Sequence, residues 1–156
     1  MTAKTWAYED FVEGASLDLG VKQVSAAEII EFAGEFDPQP MHLDEVAAGA
    51  TMLGGLGASG WHSCCLLMRV IADGFVNQTH SMGAPGVDEV RWLAPLRPGD
   101  DVTLEVDVIA ARVSRSRPDT GIVTFKGTIR NAAGQALGEM TSPIMIGRRV
   151  GATQRS

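Results

Sequence analysis

The segment Ser59–Val76, SGWHSCCLLMRVIADGFV, constrains the chain more than any other. At 3.6 residues per turn Cys64, Leu67, Met68, Ile71 and Phe75 share one face. Trp61, Cys65, Val70 and Ala72 lie elsewhere, so the predicted helix is apolar nearly all round. A helix of that kind belongs in a core. Arg69 and Asp73 interrupt the run at the spacing of an i, i+4 ion pair on its least buried side. They also argue against a bilayer span, which needs about 20 apolar residues.

Downstream the pattern changes to period two. Residues 86–100, GVDEVRWLAPLRPGD, begin the change, with Pro95, Pro98 and Gly99 supplying turns. Val102, Leu104, Val106 and Val108 then alternate with Thr103, Glu105 and Asp107. Val123, Phe125 and Ile129 face the other way from Thr124, Lys126, Thr128 and Arg130. Residues 136–147 read as a final strand in which Pro143 implies an edge or a bulge.

Upstream, residues 16–24 read as a first strand. Ser25 and Glu28 match the capping box that opens a helix over Ala26–Phe36, with Ile29, Ile30, Phe32, Ala33 and Phe36 as its apolar face. Pro38 and Pro40 end it, so DPQPMHLD at 37–44 is expected to be a rigid, non-helical loop. Asp44 is placed to cap a short helix through EVAAGA, and the glycine-rich LGGLGASG leads into the long helix. This order of elements predicts an α+β fold: one antiparallel sheet with helices on one face.

A chain of 156 residues fits a single domain, expected over 1–150 with a frayed polar tail at 151–156, and can bury roughly 68–70% of its unfolded surface. The net charge of −6, with no basic run longer than Arg148–Arg149, argues against a nucleic-acid partner. Adjacent Cys64 and Cys65 suit neither an unstrained disulfide nor a metal site and are read as buried small hydrophobes. Asp37, His42 and His62 lack the ligand spacing of a metal centre. The first sixteen residues carry no apolar signal-peptide core, which points to the cytoplasm. Ser59, within GASGW, is not a hydrolase nucleophile, because the GxSxG elbow needs glycine where Trp61 stands.

Three segments together resemble the MaoC-like dehydratases, the group that includes R-specific enoyl-CoA hydratases: DPQPMHLDEVAA at 37–48, GLGASGWHS at 55–63 and VDEVRWLAPLRPGDDVTLEVDV at 87–108. They span about half of the chain. The resemblance implies a hotdog domain, its antiparallel sheet wrapped around the long central helix. It also implies hydration or dehydration of an acyl thioester, an enoyl-CoA/3-hydroxyacyl-CoA pair, with the CoA thioester as substrate and no other cofactor. By resemblance Asp37 orients and activates water, His42 is its partner in proton transfer, and the Gly60 N–H at the helix start holds the enolate oxygen. Gln39, Ser59, Trp61 and His62 are expected to line the substrate site, and Arg91, Arg97 and Arg148 are candidates for the CoA phosphates. Gln39 and Phe36 stand where the family motif has Asn and often Gly. A hotdog thioesterase and a non-catalytic acyl-CoA-binding module are the alternatives. The expected partners are an acyl-CoA or acyl-carrier thioester and a second copy of the chain, as a homodimer or higher assembly, with no membrane.

Overall fold

The computed structural model describes residues 5–149 and 151, so most of the expected tail at 151–156 lies outside the described residues. The elements run β1 (Ser16–Gln23), α1 (Ala26–Phe36), α2 (Pro40–Leu43), α3 (Glu45–Gly49), α4 (Gly60–Gly74), β2 (Glu89–Trp92), β3 (Asp101–Val113), β4 (Thr120–Asn131) and β5 (Ala136–Gly147). The strands form one five-stranded sheet in the order β1-β3-β4-β5-β2, with every pairing antiparallel. The sheet curls around α4, giving the hotdog arrangement within the α+β class. Among the described residues no helix is long and apolar enough to cross a membrane.

Alternation in β3 and β4 places Val102, Leu104, Val106, Val108, Val123, Phe125 and Ile129 against the helix, all buried. From α4 come Leu67, Ile71 and, just past its end, Phe75. Phe75 meets Phe125 at 4.9 Å and Phe11 at 5.5 Å between ring centroids. The helix packs closely on the sheet at Gly127, where a Cβ would stand 3.1 Å from Leu67 Cδ2, so a side chain there would press the leucine aside by a few tenths of an ångström. The final strand is not the edge that Pro143 implied: β5 lies between β4 and β2, and the proline is accommodated because β2 pairs with β5 only as far as Thr141. Thr141 and Met145 hydrogen-bond outward, to Asp88 and Gly83, so residue 143 points the same way, into the stretch that β2 does not cover.

The structure corrects the expected buried faces. α4 buries His62, Ser63, Leu66, Leu67 and Ile71, whereas Trp61, Cys65 and Met68 are exposed and Cys64 is half-buried. The helix rests on the sheet by one stripe only, and its remaining apolar side faces open cavities, so the cysteines are not the buried residues expected. In α1, Ile29 and Ala33 are buried while Ile30 and Phe36 are exposed. The 37–44 segment is also not wholly irregular, because Pro40–Leu43 makes one helical turn. Pro40 stands at its first position, where a fixed φ suits the helix and no N–H is needed.

Candidate active site

The proline-rich segment and the start of α4 meet at Asp37 and His42. Asp37 caps the C-terminal end of α1, its N–H donating to Ala33 O at 2.9 Å. The α2 turn then brings His42 back toward it, buried to 7% exposure. His42 Nδ1 lies 2.7 Å from Gly57 O. A carbonyl can only accept, so Nδ1 carries the proton, and the neutral ring presents a lone pair at Nε2. That Nε2 faces Asp37 Oδ2 at 3.5 Å, close enough for charge to be felt and too long for a good direct hydrogen bond.

Both carboxylate oxygens of Asp37 are held. Ser59 Oγ donates to Oδ2 at 2.6 Å and Gln39 Nε2 donates to Oδ1 at 2.6 Å. These bonds, from Ser59 and then Gln39, hold the Asp37 carboxyl below its ordinary range against the opposing effect of burial, and His42 adds to the lowering. Asp37 is therefore an anion with a fixed orientation. Ser59 also caps α4, its Oγ accepting from Trp61 N at 3.3 Å. It is fully buried and does not line the cavity, so its place is behind Asp37 rather than against a substrate. Gln39, despite its extra methylene, does reach the carboxylate.

Asp37, Gln39, His42, Gly60 and Trp61 line one cavity of about 540 Å3, together with Trp92 through Leu96. Gly60 is the first residue of α4, where the N–H has no intrahelical acceptor and the helix dipole favours negative charge. The absence of a side chain here has a packing reason. A Cβ at Gly60 would stand 2.3 Å from Trp92 Cε2, and the Trp92 indole in turn meets Trp61 edge-on at 5.3 Å. Trp61 is 55% and Trp92 54% exposed.

His62 stands apart from this cavity. It stacks on Phe32 with ring centroids 4.5 Å apart and an 8° tilt, and its buried Nδ1 has no hydrogen-bond partner among the described residues. Burial lowers its pKa, Glu28 opposes the shift and Lys22 adds to it. Of the candidate phosphate ligands, Arg97 is bound to backbone carbonyls and Arg148 pairs with Glu9 at 3.2 Å, whereas Arg91 is exposed on β2. The roles of Ser59 and Arg97 depend on contacts 22 and more than 40 positions away, which no local spacing discloses.

A second cavity, about 480 Å3, lies on the other side of Trp61 and is lined by apolar residues of α4, β4 and β5, among them Met68, Ile71, Phe125 and Ile144. Among the described residues Trp61 alone lines both. Cys64 and Cys65 border the second one, and burial pushes the Cys64 thiol up.

Residues 12–128 match the family described as MaoC like domain. The uncharacterized protein YdeM of Bacillus subtilis (strain 168) is 30% identical over 117 residues, covering 74% of this chain and 81% of that protein. The crystal structure of the MaoC-like dehydratase from Rhodospirillum rubrum is similar with a TM-score of 0.85 and 39% identity, over 93% of this chain and 99% of that one. The unliganded R-hydratase from Pseudomonas aeruginosa shares the fold with a TM-score of 0.71 at 21% identity, over 92% and 86% of the two chains.

Proposed function

The chain belongs to the MaoC-like domain family, and from that premise we propose that it is a hydro-lyase adding water to the double bond of an enoyl thioester, or removing it from a 3-hydroxyacyl thioester. The observation that carries this reading is the pairing of a fixed carboxylate with an imidazole lone pair, 3.5 Å apart, in the cavity that also holds the open N-terminus of α4.

In the hydration direction, a water beside the pair donates one hydrogen to Asp37 and is thereby aimed. As its oxygen bonds to the β-carbon, its other proton passes to His42 Nε2. The electrons of the double bond move through the α-carbon onto the thioester oxygen, where the Gly60 N–H and the helix dipole stabilise the enolate. A donor of this kind is worth about 2.7–4 kcal/mol in other enzymes. The imidazolium, stabilised by the Asp37 anion, returns the proton to the α-carbon, and the site is restored. Asp37 never takes up a proton, in keeping with its low pKa. The apolar cavity beyond Trp61 suits the acyl chain.

The reading includes a homodimer. Trp61, Trp92 and Leu93 are exposed around the mouth of the site, and the four-residue strand β2 leaves a free sheet edge for a second copy. Sedimentation at micromolar concentration distinguishes dimer from monomer.

The activity test is loss of enoyl absorbance with short, medium, branched and carboxylated enoyl-CoAs, and with the same acyl groups on acyl carrier protein. Asp37→Asn and His42→Gln should each abolish turnover while circular dichroism stays unchanged. Free thiol release without water addition would instead make the protein a thioesterase, and binding without turnover a non-catalytic module. Wild-type rates in both variants would remove the pair from the mechanism.

A further inference from the structure

The carbonyl that accepts from His42 belongs to a stretch of chain without regular structure of its own. Residues 55–59 are buried, yet 53–57 are neither helix nor strand, so their backbone groups need partners from elsewhere. Met41 O accepts the Gly57 N–H at 3.4 Å, and Arg97, in the turn before β3, supplies the donors for three of the carbonyls. Its Nη1 donates to Gly55 O at 2.7 Å and to Leu56 O at 3.3 Å, and its Nη2 donates to Leu53 O. Glu45, at the start of α3, accepts the Leu56 N–H on Oε2 at 3.2 Å. Beside Arg97, Leu96 O accepts the Ala58 N–H at 2.9 Å. Between these fixed points lies Gly57, whose carbonyl meets His42 Nδ1 at 2.7 Å.

We propose that Arg97, assisted by Glu45, is the positioning residue of His42: by holding the Leu53, Gly55 and Leu56 carbonyls it presents Gly57 O to Nδ1, which fixes both the imidazole plane and the tautomer whose lone pair faces Asp37. The guanidinium suits this task because its planar fork carries five donors at set angles. A lysine retains the charge but cannot bridge carbonyls of three residues in the same geometry. The arginine is thereby committed to the protein's own backbone and is not a phosphate ligand. Its half-buried position accords with that role.

The step from position to rate rests on the hydratase reading, whereas the step from Arg97 to the His42 tautomer does not. The experiment therefore has two arms, run on Arg97→Lys and on Glu45→Ala. In the first, the protein is labelled with 15N-histidine, and the signal of His42 among the three histidines is assigned with His42→Gln. Wild-type His42 should show the Nδ1–H tautomer. Arg97→Lys should show a mixture of tautomers, and Glu45→Ala a smaller change in the same direction. In the second arm, kcat for enoyl-thioester hydration should fall in Arg97→Lys by roughly 10²-fold, the order expected when a reacting group is misplaced by about 1 Å, with KM little changed.

Should Arg97→Lys fail to fold, Glu45→Ala, which alters an exposed side chain, decides the matter. Folded variants that keep the wild-type tautomer overturn the proposal, even where the wild type is an active hydratase. A shifted tautomer in a protein that hydrates nothing upholds the positioning role and removes the hydratase reading alone.

Discussion

Ser59 Oγ donates to Asp37 Oδ2 at 2.6 Å across 22 positions of sequence, and the same oxygen accepts the Trp61 N–H at 3.3 Å. One hydroxyl thus caps the central helix and anchors the carboxylate that ends α1. The geometry of the site and the stability of α4 are joined through it.

Ser59→Ala should therefore lose both. An N-cap is worth about 1 kcal/mol and a hydrogen bond to a charged group about 1.5–3 kcal/mol, so the free energy of unfolding should drop by about 2–4 kcal/mol. The Asp37 carboxyl should move up toward its ordinary value. Urea unfolding reads the first effect and 13C-detected titration of the carboxyl reads the second.

Gln39→Asn withdraws the amide from Asp37 Oδ1 by about one C–C bond, about 1.5 Å, and Gln39→Ala removes it. The Asp37 titration should move upward in both, further in the alanine variant. Hydration should slow by roughly tenfold in Gln39→Ala, equivalent to about 1.4 kcal/mol of barrier. An asparagine variant as fast as wild type would show that the longer amide is not needed at this site.

Gly60→Ala drives a methyl into the Trp92 indole, whose Cε2 is 2.3 Å from the new Cβ position. The exposed indole should swing away, at a cost of about 1–3 kcal/mol for the overpacked contact, with a change in tryptophan fluorescence. Trp92→Ala in the same background should recover the stability. Activity recovered alongside it would place the defect in the clash, and activity still missing would place it at the α4 N-terminus.

His62 gives the protein a pH dependence of stability. Burial favours its neutral form, so the folded pKa lies below the ordinary 6.5. As pH falls below that value the unfolded chain takes up a proton that the folded chain refuses. Stability is then lost progressively until the folded pKa is reached. His62→Phe keeps a ring to stack on Phe32 and removes both the titration and the unpartnered Nδ1. Its loss of unfolding free energy between about pH 7.5 and about pH 5.5 should be smaller than that of wild type. Equal slopes would assign the acid sensitivity to other groups.

Local sequence carried much of the architecture. The Ser25–Glu28 box, the Asp44 cap and the alternation in β3 and β4 are all properties of neighbouring residues, with periods of two or 3.6 that any fold must respect. The Asp37 and His42 pair was legible too, through the proline-stiffened segment and its resemblance to a family. The α2 turn was not, because prolines read as helix breakers also suit a first helical position, as Pro40 shows.

What the tertiary structure alone decided is how these parts face one another. Periodicity says that α4 is apolar, but only its seating on a curved sheet by one stripe leaves Trp61 and both cysteines toward open space and His62 against Phe32. Ser59 became the anchor of Asp37, and Arg97 the brace of the backbone behind His42, through hydrogen bonds between residues far apart in the chain. A side chain's own neighbours fix its conformation and the face it shares, whereas the partner of a buried polar group depends on which distant segment the packed core brings within about 3 Å of it.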